Sequence, residues 1–160
     1  MRQLIAGNWK MHGLGADALA LAKGVVAGAA GLPCDVLVCP PFVHIAAVAQ
    51  AVAGSPVAVG GQDCHAAKQG AHTGDVAAPM LRDIGAGWVI LGHSERRQNH
   101  HETDAQVREK TVAAVEAGLK PIVCVGETEA ERSAERQNEV VGGQLAGSLP
   151  DGFAGVVAYE

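Results

Sequence analysis

Aromatic residues are scarce in this chain, at 3% of 160 positions, and charged residues reach only 18% against 48% hydrophobic. A chain of that length and balance can bury a real core and is expected to form a single domain, residues 1–160, with a core of Val, Ile, Leu and Ala. Positive charge is also short: the net charge of −5 argues against a general nucleic-acid surface, while a local basic spot could still hold an anionic metabolite. No C-x-x-C pair occurs among Cys34, Cys39, Cys64 and Cys124, which leaves out zinc ribbons and exported disulfide scaffolds and points to core thiols. No stretch approaches the roughly 18 apolar residues of a membrane span, and the apolar run near Met1 is too short for a signal peptide. A soluble cytoplasmic protein with no membrane partner is therefore expected. The seven histidines lack a ligand spacing such as H-E-x-x-H, so no metal is expected.

What is present is an alternation of β-branched runs with Ala-rich helical stretches. Gln3 to Ala6 reads as a strand ending in the polar turn Gly7 to Gly13. A helix is expected from about Asp17 to Ala30, where Leu19, Ala22, Val26 and Ala29 recur at helical spacing before Gly31-Leu32-Pro33. Strands follow at Asp35–Cys39, Val57–Val59, Val89–Leu91, Lys120–Val125 and Gly155–Tyr159. Helices are predicted at Val43–Ala53, Val76–Ile84 and Thr103–Ala117, with Gly118 as the stop. One long helix is predicted after Thr128, where Thr128 with Glu131 forms a capping box. On it, Glu129 with Arg132 and Arg136 with Glu139 would pair at i,i+3.

Strand ends thus fall near residues 8, 39, 60, 91, 125 and 159. Repeated βα units with right-handed crossovers leave two architectures, a doubly wound open sheet or a (β/α)8 barrel. Neither G-x-G-x-x-G nor a Walker A loop follows the first strand, which lowers the nucleotide-binding options. Polar residues gather instead at strand carboxyl ends, where a barrel would bring them to one mouth: Asn8, Lys10, His93, Glu95 and Glu160.

The densest chemistry follows Val89-Ile90-Leu91, in Gly92-His93-Ser94-Glu95-Arg96-Arg97. If Ser94 caps a short helix, His93 sits at its positive end, where a second proton on imidazole is disfavoured and a neutral ring can donate a hydrogen bond. A carboxylate, a neutral imidazole and a lysine on one cleft suit proton transfer next to a carbonyl, with no cofactor required. Taken singly, Lys10 reads equally as a solvated lysine, Asn8 as a turn former, Glu95 with Arg97 as a local ion pair, and Cys124 as a packing thiol.

Four segments, Gly7-Asn8-Trp9-Lys10-Met11, Gly92 to Arg97, Cys124-Val125-Gly126-Glu127-Thr128 and Ala158-Tyr159-Glu160, resemble the signatures of the triosephosphate isomerase family, in its order and approximate spacing. The resemblance runs from Leu4 to Glu160. It implies an α/β fold of the TIM-barrel type, here with six parallel strands and five connecting helical segments. It also implies interconversion of dihydroxyacetone phosphate and D-glyceraldehyde 3-phosphate in glycolysis and gluconeogenesis, a system that also serves as a standard illustration of a glutamate base paired with neutral histidine. Carried over, Glu160 is the base, His93 the neutral electrophile and Lys10 a positive charge on the substrate; Asn8 helps orient the substrate and Glu95 positions its neighbours. The loop from Gln62 to Val76 resembles the family's long third loop, which docks into a partner subunit; Gln62, Thr73, Gly74 and Asp75 are its expected dimer contacts. His72 and Asp75 depart from the aromatic and glutamate usual there, and His12 stands where asparagine is common.

A barrel of this kind needs eight βα units and about 250 residues, so the last two units, with the phosphate-binding loops and the lid, are absent from these 160 residues. The favoured expectation is the N-terminal part of a complete isomerase. The alternatives are an inactive barrel fragment serving as a structural or assembly module, and a different phosphate-binding (β/α)8 isomerase or lyase.

Overall fold

The computed structural model describes residues 2–160. Six strands form one parallel sheet in the order β1 (Leu4–Asn8), β2 (Asp35–Cys39), β3 (Val57–Gly61), β4 (Trp88–Leu91), β5 (Lys120–Val125) and β6 (Val156–Tyr159). Each strand therefore pairs with its sequence neighbours, the arrangement of a curled (β/α) barrel wall, with β1 and β6 at its two edges. Register fixes which ends align: Asn8 stands beside Cys39, Leu91 beside Val123, and Val125 beside Tyr159.

Alternation along the strands sorts the apolar residues onto two faces. Val38, Val89, Leu91 and Val123 join Ile45, Val48, Leu81 and Val107 in the layer between sheet and helices. The opposite face carries Leu37, Cys39, Ile90, Ile122 and Cys124. Both faces being buried is what makes these strands near-continuous apolar runs.

The connecting helices are α1 (Gly15–Ala29), α2 (Ile45–Ala51), α3 (Ala78–Asp83), α4 (Ser94–Asn99), α5 (Asp104–Glu116), α6 (Glu129–Ser133) and α7 (Gln137–Ser148). A 3-10 turn at Phe42–His44 precedes α2; Pro41 sits at its N-cap, where a missing N–H costs nothing, and its carbonyl accepts from the His44 N–H at 2.9 Å. The capping box at Thr103 and Gln106 starts α5, and Gly118, at φ 78°, ends it.

One expectation is corrected here. The single long helix after Thr128 is two helices: Glu135 adopts a left-handed φ of 58°, and the chain turns between Ser133 and Gln137. Arg136 and Glu139 do pair, at 2.9 Å, but Arg132 bonds Glu127 at 2.6 Å instead of Glu129. No described helix is long and apolar enough to cross a membrane. Cys39, Cys64 and Cys124 are buried and Cys34 half-buried, all as free thiols; burial pushes the Cys124 thiol up to about 12, which keeps it protonated and inert.

Candidate active site

The carboxyl ends of β1, β3, β4 and β6 bring Asn8, Lys10, Gln62, His93, Glu95 and Glu160 to one end of the sheet. Apart from Glu160, these residues line a cleft of about 440 Å³ that opens there. Lys10 is held in a left-handed conformation, φ 51°, which costs a non-glycine residue about 1 kcal/mol or more. Two bonds hold its backbone there. Asn8 Oδ1 accepts from the Lys10 N–H at 3.0 Å. Gln62 Nε2 donates to the Lys10 carbonyl at 2.9 Å and to the Cys39 carbonyl at 2.8 Å. The ammonium then reaches Glu95 Oε1 at 2.8 Å.

That pair sets its own charge states. The Glu95 hydrogen bond holds the Lys10 ammonium above its usual range, and Lys10 in turn holds the Glu95 carboxyl below its own. Both groups stay ionised around neutral pH.

His93, not Ser94, caps α4. Its Nδ1 accepts from the Glu95 N–H at 3.2 Å, and Ser94 is the first helical residue. A ring nitrogen that accepts from an amide carries no proton, so these partners assign the ring proton to Nε2. Nε2 faces Glu160 Oε1 at 2.7 Å. The carboxylate is held from the other side by the Ser94 N–H, which donates to Oε2 at 2.8 Å. The Glu95 amide thus orients the ring, with Nδ1 turned toward the start of α4 and Nε2 toward Glu160.

The suggested local pair of Glu95 with Arg97 does not form. Glu95 belongs to Lys10, whereas Arg97 bonds Asp104 Oδ1 at 2.6 Å, the Gly92 carbonyl at 2.7 Å, Ser148 Oγ at 3.1 Å and the Cys124 carbonyl at 3.2 Å. It ties the ends of β4 and β5 to α5 and α7. Arg96 joins a buried group that sequence reading missed: Lys110 Nζ contacts Asp63 at 2.9 Å and also Glu102, while Arg96 meets Glu102 at 2.6 Å and Asp63 at 3.0 Å. Nothing in the local sequence of Asp63 or Lys110 announces partners 47 positions apart. Thr73, Gly74 and Asp75 lie exposed at the tip of the loop after β3, well away from the inward-facing Gln62 amide. His72, on the same loop, stacks near His65 with ring centroids 4.1 Å apart.

A family model described as triosephosphate isomerase matches residues 3–160. Among curated relatives, a triosephosphate isomerase of Granulibacter bethesdensis is 57% identical over 166 aligned positions, covering 100% of this chain and 67% of the relative. One of Gluconacetobacter diazotrophicus is 53% identical, covering 100% and 66%. The chain thus spans about two thirds of the length of the curated relatives it matches. A crystal structure of triosephosphate isomerase from Bartonella henselae superposes with a TM-score of 0.95 at 42% identity, over 99% of this chain and 68% of that one.

Proposed function

The chain belongs to the triosephosphate isomerase family, and from that premise we propose that its cleft serves the interconversion of dihydroxyacetone phosphate and D-glyceraldehyde 3-phosphate. The observation that carries the reading is the His93–Glu160 contact: a hydrogen-bond donor with its proton on Nε2, and a carboxylate 2.7 Å away, at the same end of the sheet as the Lys10 ammonium.

The chemistry follows from those three groups. Glu160 leaves the Ser94 amide and takes a proton from the carbon beside the substrate carbonyl, and the C–H electron pair moves into a new C=C bond. Negative charge then builds on the carbonyl oxygen, where the His93 Nε2–H stabilises it as an enediolate. His93 Nε2 gives its proton to the former carbonyl oxygen and takes the hydroxyl proton from the adjacent oxygen, so the negative charge moves to that oxygen; it then re-forms C=O there while the carbon proton returns to the former carbonyl carbon, which completes the isomerisation with atoms and electrons balanced and no electron carrier required. Lys10 places a full positive charge against the anionic substrate, and Asn8 holds the Lys10 backbone so that the charge points into the cleft. Glu95 keeps that ammonium protonated and, through its own N–H, fixes the His93 tautomer. In barrels of this type the phosphate is gripped by loops after strands seven and eight.

We further place the protein in the cytoplasm as a glycolytic and gluconeogenic enzyme. Its loop over residues 62–76 would join two copies into a homodimer, with Thr73, Gly74 and Asp75 at the contact. The decisive experiment is a coupled isomerase assay. It compares this chain alone with the chain extended by the segment of the Granulibacter bethesdensis relative that follows the matched region. Turnover by the extended chain that vanishes with Glu160→Gln supports the proposal; turnover unaffected by that substitution refutes it.

A further inference from the structure

A single peptide group separates Gln144 of α7 from the backbone of Glu160. The Val125 carbonyl accepts from the Glu160 N–H at 2.9 Å. The N–H of that same peptide belongs to Gly126 and donates to Gln144 Oε1 at 2.8 Å; it leaves on the opposite side because a planar trans peptide points its C=O and N–H apart. Gln144 Nε2 then donates to the Gly126 carbonyl at 3.0 Å, so one side chain holds both polar backbone groups of Gly126. On the reading that Glu160 is the base, we infer that Gln144 is a positioning residue for the isomerisation: it fixes the turn after β5 on which the Glu160 backbone rests.

Turn and base are in direct contact. Gly126 is not among the positive-φ glycines, so its bare Cα serves a close approach. A Cβ there would overlap the Glu160 carbonyl oxygen and stand 3.1 Å from the carbonyl carbon and 3.3 Å from Glu160 Cβ. Rotation of the Gly126 peptide therefore displaces the pivot from which the Glu160 carboxylate swings between the Ser94 amide and the substrate carbon. A base shifted by a fraction of an ångström loses alignment with the C–H bond it must break.

A carboxamide suits this task because its oxygen accepts and its NH2 donates in one plane, whereas an ionised carboxylate can only accept. The side chain is half-buried and starts from a fixed point. Helix propensity does not provide that point, since Gly142, Gly143 and Gly147 each weaken α7; tertiary bonds do. One turn beyond Gln144 and on the same face, buried Ser148 donates to Asp104 Oδ1 at 3.0 Å and accepts from Arg97 at 3.1 Å. Gly147 lets α7 approach α5 so closely that a Cβ there would meet Asp104 Cβ at 2.6 Å. Gln144 thus links a helix anchored on α5 to the floor beneath the base.

Steady-state kinetics of the extended chain carrying Gln144→Ala, Gln144→Glu or Glu160→Gln tests the role. Gln144→Ala should lower kcat about ten- to a hundredfold and leave KM within about twofold, because alignment of the base is lost and no substrate contact is. Gln144→Glu keeps the volume, so it carries the test even where Gln144→Ala fails to fold. Ionised, the introduced carboxyl sets an oxygen against the Gly126 carbonyl; protonated, it restores the missing donor. Its kcat relative to the parent should therefore rise as pH falls from about 8 to about 5, a ratio in which titration of Glu160 itself cancels and which a merely structural loss would leave flat. A Gln144→Ala kcat within about threefold of the parent, a loss carried by KM, or a flat ratio for Gln144→Glu overturns the assignment. Glu160→Gln separates the two failures: turnover that survives it removes the base and Gln144's role together, whereas turnover abolished by it and unchanged in both Gln144 variants removes the role of Gln144 alone.

Discussion

His93 Nε2 and Glu160 Oε1 are 2.7 Å apart, so the proposed electrophile and the proposed base are bonded to each other across β4 and β6. Each is also held by the start of α4, His93 through the Glu95 amide and Glu160 through the Ser94 amide. Positioning therefore runs through two consecutive backbone amides, not through long side chains.

Two substitutions test that geometry in the extended chain. His93→Gln removes the ring donor and should lower kcat by about 10²–10⁴ with KM little changed. Glu160→Asp withdraws the carboxylate by roughly an ångström and should cost on the order of 10² in kcat. Steady-state kinetics in both directions measures this; a His93→Gln enzyme within tenfold of the parent excludes the role given to the imidazole.

The Lys10–Glu95 pair predicts a pH signature. Lys10 is raised by its Glu95 hydrogen bond, so its contribution is present below about pH 10.4 and is lost as pH rises through the elevated folded value. Glu95 is depressed by the same bond, so its contribution is present above about pH 4.3 and lost as pH falls through the lowered folded value. Glu95→Gln should therefore move the alkaline limb of kcat/KM to lower pH, because the ammonium gives up its proton sooner. An alkaline limb that stays in place would show that Lys10 charge does not govern it.

Much of this was legible in the sequence, for definite reasons. Apolar runs stopped by glycine, proline or polar clusters located all six strands, and β4 with its polar sequel located His93 and Glu95. Capping boxes at Thr103 and Thr128 marked helix starts because they are local hydrogen bonds between residues three apart. The break at Glu135 was hidden because neither glycine nor proline marks it. The cap at His93 was hidden because serine is the usual capping residue and histidine can act as one only through an unprotonated ring nitrogen. Gln62 was read as a contact of the loop it opens, and only the fold shows its amide turned back under the Lys10 carbonyl. The Asp63, Glu102, Lys110 and Arg96 group joins three elements with no periodicity linking them.

Gly92 connects β4 to His93 at φ 65°, and a methyl group there would meet Val107 Cγ1 at 2.9 Å and an Arg97 nitrogen at 3.0 Å. Gly92→Ala combines left-handed strain with crowding of a buried valine, roughly 2–4 kcal/mol together. That corresponds to a fall in Tm on the order of 10 °C. Thermal unfolding followed by circular dichroism checks it, and a change of under about 1 °C would mean that the turn has room the structure denies.

Lys110 is the final test, because it stands between two carboxylates that are almost completely buried, its own side chain being 12% exposed. Burial raises the Glu102 carboxyl, but hydrogen bonds from Lys110 and Arg96 outweigh it and hold the group below its usual range. Asp63 goes the other way: burial pushes it up further than Lys110 pulls it down. Lys110→Met leaves Arg96 as the cation for both, and loss of one partner from a buried ionic group costs about 3 kcal/mol at pH 7. In the variant both acids titrate at higher pH than in the parent, so the deficit should shrink toward pH 4, where each can take up a proton and cease to be an unpaired charge. Urea unfolding at the two pH values measures both quantities. A deficit equal at pH 4 and pH 7 would mean that Lys110 stabilises the fold by packing its methylene stem and not by neutralising Asp63 and Glu102.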